Sequence, residues 1–145
     1  MKQIKLFTIL VSFLIFSSCN AQDESNTSAS NQNASKIEVL DFHSTHRCMT
    51  CNAIEANTKY TLQTYFAKEV ADGKITFRLI NVDEEANEAI AEKFEAFGTA
   101  LFINVIVNGK ETQIELTDFA FMKANEKEEF AQELKIKLDS ELKKL

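Results

Sequence analysis

The chain of 145 residues has no proline and no tryptophan, and it has only three glycines, three cysteines and two histidines. Without proline, no cis X-Pro turn is available anywhere in the molecule. With so few glycines there is no glycine-rich loop to cradle a phosphate, so no nucleotide or flavin cofactor is expected. Positive charge is also scarce: 16 Lys and Arg stand against 22 Asp and Glu, for a net charge of −6 without any basic cluster. That balance argues against nucleic acid as a partner and against electrostatic binding to anionic lipid. The longest apolar run, Leu6 to Phe16, is 11 residues. A helix needs about 20 apolar residues to span the ~30 Å hydrocarbon core, so this run is too short.

The same run, preceded by Lys2 and Lys5, has the form of an export signal. Phe16-Ser17-Ser18-Cys19 follows it and resembles the lipobox of bacterial lipoproteins, with Phe16 in place of the usual aliphatic residue. The resemblance implies lipidation of Cys19, which would become the mature N-terminus. The competing reading is ordinary cleavage after Ala21, which discards Cys19. Lipidation accounts for an odd cysteine in an exported chain, because Cys48 and Cys51 are then a matched pair. Acyl chains on Cys19 would anchor the protein stably to a membrane. Loss of residues 1–18 removes two lysines and no acid, moving the net charge from −6 to −8. Residues 20–35 carry no large apolar side chain and are expected to form a disordered tether. The expected organisation is a signal peptide over 1–18, a lipidated Cys and tether over 19–35, and one domain over 36–145.

Within that domain, Ile37 to Phe42 suggests a first strand. Ile54, Leu62, Tyr65 and Phe66 mark one face of a helix that starts near Thr50 and ends near Asp72-Gly73. Ile75 to Ile80 gives a second strand. Asp83 reads as an N-cap for a helix through Ala86, Ile90, Phe94 and Phe97, stopped by Gly98. Leu101 to Val107 reads as a buried strand, Asn108-Gly109 as a hairpin turn, and Gln113 to Leu116 as a half-wet returning strand. Asn125 and Glu128 have capping-box spacing before a last helix lined by Phe130, Leu134, Leu138, Leu142 and Leu145. The order β-α-β-α-β-β-α predicts an α/β domain with a mixed four-stranded sheet and helices on both faces. The 12 phenylalanines read chiefly as core, and Phe119 to Met122 as core or as an apolar lip near the cysteines.

The chemistry concentrates in Cys48-Met49-Thr50-Cys51, where the first strand hands over to the first helix. Two thiols at this spacing can form a reversible disulfide. The helix N-terminus and Arg47 are expected to favour the Cys48 thiolate, with His43 or His46 as further positive charges. Cys48 would then attack and Cys51 would resolve the mixed disulfide. A purely structural bridge is the bland alternative, but so small a ring gives little entropic stabilisation. A rival from another class is a copper or zinc carrier or sensor holding the metal with His43, His46, Cys48 and Cys51, with Met49 beside them.

With CxxC on a β-α turn, the domain resembles the thioredoxin fold from about Lys36 to Leu145. The resemblance implies that Asp41 matches a buried Asp assisting proton transfer at the second cysteine, here one residue farther from the motif. It also implies that Thr99-Ala100-Leu101 fills the place of the cis-proline facing the disulfide, and that Arg47 replaces the usual Trp. Phe42-His43, Arg47-Cys48, Cys51-Asn52 and Thr117 to Met122 are similar to small exported thioredoxin-like proteins labelled nitrophenyl-compound nitroreductase subunits of arsenic operons. The function so implied is a lipid-anchored thiol–disulfide oxidoreductase or electron-relay subunit of the cell envelope. Its partners would be protein thiols or disulfides and a membrane electron donor.

Overall fold

The computed structural model describes residues 35–145; the expected signal peptide, Cys19 and tether residues 20–34 lie outside the described residues. Strand β1 (Lys36–His43) leads to helix α1 (Met49–Tyr65), short helix α2 (Ala67–Ala71) and strand β2 (Ile75–Asn81). A 3-10 turn (Glu85–Asn87) runs into helix α3 (Glu88–Lys93). Strands β3 (Ala100–Val107) and β4 (Lys110–Glu115) form a hairpin, and helices α4 (Thr117–Lys123) and α5 (Lys127–Leu142) follow.

The sheet order is β2-β1-β3-β4, with β1 parallel to β2 and antiparallel to β3, and β3 antiparallel to β4. This is the expected mixed sheet, and the arrangement is thioredoxin-like. β1 is central and alternates between two apolar layers. Ile37 and Val39 pack with Ile54 and Leu62 of α1 and with Phe130, Leu134 and Leu138 of α5. Leu40 and Phe42 point the other way, against Ile80, Phe94 and Phe102. Helices therefore cover both faces. The hairpin turn is as its sequence requires, with φ of 51° at Asn108 and 78° at Gly109.

Other elements depart from expectation. The first helix breaks at Phe66, whose φ of −130° and ψ of 22° turn its ring into the core without help from glycine or proline. Asp83 does not cap a helix; its carboxylate accepts the Thr45 amide at 2.7 Å. α3 stops at Lys93, because Glu95 takes a positive φ of 51° and leads Phe97 out into solvent. The Asn125–Glu128 box does not form: α5 begins after Glu126 with no side-chain cap, while Lys123 pairs with Glu126 and Glu129. Phe119 to Met122 lies in α4, and its residues divide. Phe119 stacks on Phe130 with ring centroids 5.0 Å apart and Ala120 is buried, whereas Phe121 and Met122 are exposed.

Candidate active site

β1 delivers the chain to residues 44–47, and Cys48 is the N-cap of α1, with extended backbone at φ −82° and ψ 171°. Its Sγ accepts the Cys51 amide at 3.3 Å, so a thiol does what a serine hydroxyl does at many helix starts. Hydrogen bonds from the Cys51 thiol, then the Cys51 amide, then Thr50, hold the Cys48 thiol below its ordinary pKa. Cys48 is exposed, Cys51 is buried, and both are free thiols. The Thr99 hydroxyl donates to Cys51 Sγ at 3.2 Å, so the residue before β3 faces the thiol pair.

Ala100 and Leu101 do not share that position. As the first residues of β3 they alternate into the two apolar layers, so neither side chain is available to a substrate. Leu101 instead donates its amide to Thr117 Oγ1 at 3.3 Å. Two exposed apolar side chains lie close in sequence to the residues of the site: Met49, 89% exposed within the motif, and Phe97, 86% exposed two residues before Thr99. A groove of about 420 Å³ between α1, α2 and β2 is lined by residues such as Leu62, Val70 and Phe77 and holds neither cysteine. Cys48 is thus at the surface, with Cys51 buried behind it.

Asp41 lies on the α1 side of β1, fully buried, with neither carboxylate oxygen hydrogen-bonded. Burial pushes its pKa up to about 7; Arg47 opposes the rise, Glu55 adds to it and Lys59 opposes it. Arg47 does not point at Cys48. Its Nη1 pairs with Glu55, and its Nη2 donates to the Cys51 carbonyl at 3.2 Å. Its Nε is buried and has no hydrogen-bond partner among the described residues. Glu55 also pairs with Lys59; burial works against its charge, but the bonds from Lys59 and Arg47 keep its pKa below the usual value. The Cys48 shift is thus carried by hydrogen bonds of the helix start, and Arg47 serves the interior. Glu55 was not singled out in the sequence, although i, i+4 spacing places it one turn beyond Cys51 as Arg47 lies one turn before.

The histidines stand apart. His43 Nδ1 lies 2.9 Å from the Ser44 carbonyl, and His46 is exposed on the loop. Among the described residues, no three His, Cys, Asp or Glu side chains come together as a metal site would require. That holds for the candidate set of His43, His46, Cys48 and Cys51.

No family model and no curated protein matches the chain. Among solved structures, a thioredoxin of Fasciola hepatica is 21% identical, covering 64% of this chain and 81% of that one at a TM-score of 0.42. A malarial protein is 17% identical, covering 61% of this chain and 94% of that one at a TM-score of 0.39. The thioredoxin-like description rests on strand order, strand sense and the position of the two cysteines on the β1–α1 turn.

Proposed function

We propose that the protein is a thiol–disulfide oxidoreductase in which Cys48 attacks and Cys51 resolves. The observation that carries this reading is an exposed, hydrogen-bonded thiol at a helix start, three residues from a buried one. In the reducing direction, the Cys48 thiolate attacks a substrate disulfide and releases one substrate thiolate. Cys51 then loses its proton and attacks Cys48, forming the Cys48–Cys51 disulfide and releasing the second thiolate. Two electrons pass from the pair to the substrate disulfide, and protons from the thiols and solvent leave two substrate thiols. Asp41 is the buried carboxylate suited to take the Cys51 proton. An exposed Cys48, with exposed Met49 next to it in the chain, suits protein disulfides.

The protein acts at the cell envelope, held by lipid on Cys19, and is re-reduced there by a membrane electron donor. The export-type segment, the Phe16 to Cys19 motif and the acyl-anchor arithmetic support that placement. An exported thiol pair is otherwise oxidised by its surroundings. Passing electrons to a separate reductase is the form in which the nitroreductase-subunit resemblance fits a chain with no flavin-type loop.

The test is turnover of a protein disulfide by the full chain with Cys48→Ser and Cys51→Ser. Cys48→Ser should abolish exchange, and Cys51→Ser should accumulate mixed disulfides visible by mass spectrometry. Unchanged turnover in Cys48→Ser would remove the reading. A potential near about −270 mV against glutathione would make the protein a reductant, and one near about −120 mV an oxidant.

A further inference from the structure

Five buried side-chain atoms lack a hydrogen-bond partner among the described residues, and three of them belong to two neighbouring charged groups: both oxygens of Asp41 and Nε of Arg47. These are acceptors and a donor of opposite charge. After burial itself, the Arg47 charge acts most strongly on Asp41, followed by Glu55 and Lys59. The guanidinium has two of its nitrogens committed, Nη1 to Glu55 and Nη2 to the Cys51 carbonyl. Both side chains of the ion pair are largely buried, at 18% exposed for Arg47 and 17% for Glu55. An arginine is the side chain able to hold Glu55 and the Cys51 carbonyl at once, because its donors fan out in a rigid plane.

From this geometry we infer that Arg47, held by Glu55, is a positioning residue for the resolving half of the reaction and not for the attacking half. It fixes the first turn of α1 at the Cys51 carbonyl, and its charge acts on the buried Asp41 carboxylate without a hydrogen bond to it. Nothing ties it to Cys48, whose thiolate is favoured by bonds from the Cys51 thiol, the Cys51 amide and Thr50. In the step concerned, the Cys51 thiol proton passes to the Asp41 carboxylate. The Cys51 sulfur attacks Cys48 of the mixed disulfide, the Cys48–Cys51 bond forms, and the bond from Cys48 to the substrate breaks. The electron pair of that bond leaves with the substrate thiolate. Arg47 keeps the acceptor charge-balanced and the Cys51 backbone in place while this happens.

The inference rests on the thiol–disulfide reading, and one experiment separates the two. With the full chain, the rate of mixed-disulfide formation at Cys48 and the rate of its resolution are measured separately by rapid mixing and acid quench, for wild type, Arg47→Met, Arg47→Lys and Glu55→Gln. Arg47→Met should slow resolution about tenfold, the size of one charge-assisted hydrogen bond, while first attack stays within about twofold. Arg47→Lys should restore part of the resolution rate, since it keeps the charge but not the fork. Glu55→Gln should slow resolution in the same direction, and together with Arg47→Lys it carries the test if Arg47→Met does not fold. Equal changes in both half-reactions, or no change in either, overturn the positioning role. Absence of mixed disulfide in Cys51→Ser, measured in the same way, overturns the oxidoreductase reading itself.

Discussion

A carboxyl with both oxygens buried and unpartnered is costly to ionise, and Asp41 has a pKa pushed up to about 7. Its folded value exceeds the unfolded one, so its contribution to stability is fully present below the unfolded pKa and is lost as pH rises through about 7. Asp41→Asn should therefore unfold at higher urea than wild type at pH 8, by up to about 4 kcal/mol at ~1.4 kcal/mol per pKa unit. The gap should close as the pH falls from 7 toward 4. An equal gap at pH 5 and pH 8 would mean that Asp41 titrates as a solvated acid. Thr99 gives a second prediction. Its hydroxyl donates to Cys51 Sγ at 3.2 Å and so stabilises the reduced pair. Thr99→Val keeps the shape and removes the donor, and should lower the reduction potential by roughly 10–30 mV, equivalent to one net hydrogen bond. A rise in potential against glutathione would show that the hydroxyl favours the disulfide instead. The resemblance pointed to Thr99 only as part of a segment, because nothing in three consecutive residues tells which one faces sulfur until β3 fixes their alternation.

The two helical layers are unequal. α5 is 16 residues long, and Phe130, Leu134 and Leu138 on it are fully buried against β1 and β3. α3 has six residues, too few to be helical alone, and is held by Phe94 against Phe42 and Phe102 at ring-centroid distances of 5.6 and 5.3 Å. Leu134→Ala should destabilise the whole domain by about 2–5 kcal/mol in a single cooperative urea transition. Phe94→Ala should act locally first: amide exchange over Glu88–Lys93 should accelerate more than exchange in β1, loosening the segment that leads to Phe97 and Thr99. Uniform acceleration would place α3 in the same cooperative unit as the sheet. The same inequality explains what was legible. α5 and the Asn108-Gly109 turn were readable because periodicity and positive φ leave strong local marks. The end of α3 was not, because Phe94 and Phe97 keep helical spacing while the backbone reverses at Glu95. The capping box failed because Lys123 drew in Glu126 and Glu129, a preference that spacing alone does not reveal.

At the scale of the molecule, strand order places the chemistry at one end. β1 is central, so its C-terminal end, the start of α1 and the residues before β3 meet there, while the β3–β4 turn lies at the opposite end of the sheet. The loop after β2 is fastened to the same end, with Asp83 accepting the Thr45 amide and Asn81 donating to the Thr45 hydroxyl at 3.1 Å. That end was legible from the β-α position of the cysteine motif. Asp41 was pointed to by the resemblance and Arg47 as a charge beside Cys48, but the pairing of Arg47 with Glu55 was not, since the two are eight residues apart in sequence. At this end the chain exposes apolar side chains next to Cys48 and before Thr99: Met49 is 89% and Phe97 86% exposed. A small disulfide needs little more than the exposed Cys48, whereas a protein surface closing on Cys48 covers a wider footprint, and Phe97 is expected to fall within it. Phe97→Ser should therefore raise KM for a protein disulfide about tenfold, in keeping with loss of one buried aromatic anchor, and leave turnover of glutathione disulfide nearly unchanged. Because Phe97 is exposed, the variant should melt within a few degrees of wild type. An equal loss with both substrates would mean that Phe97 shapes the thiol site itself, and no loss with either would move the partner's footprint to the Met49 side alone.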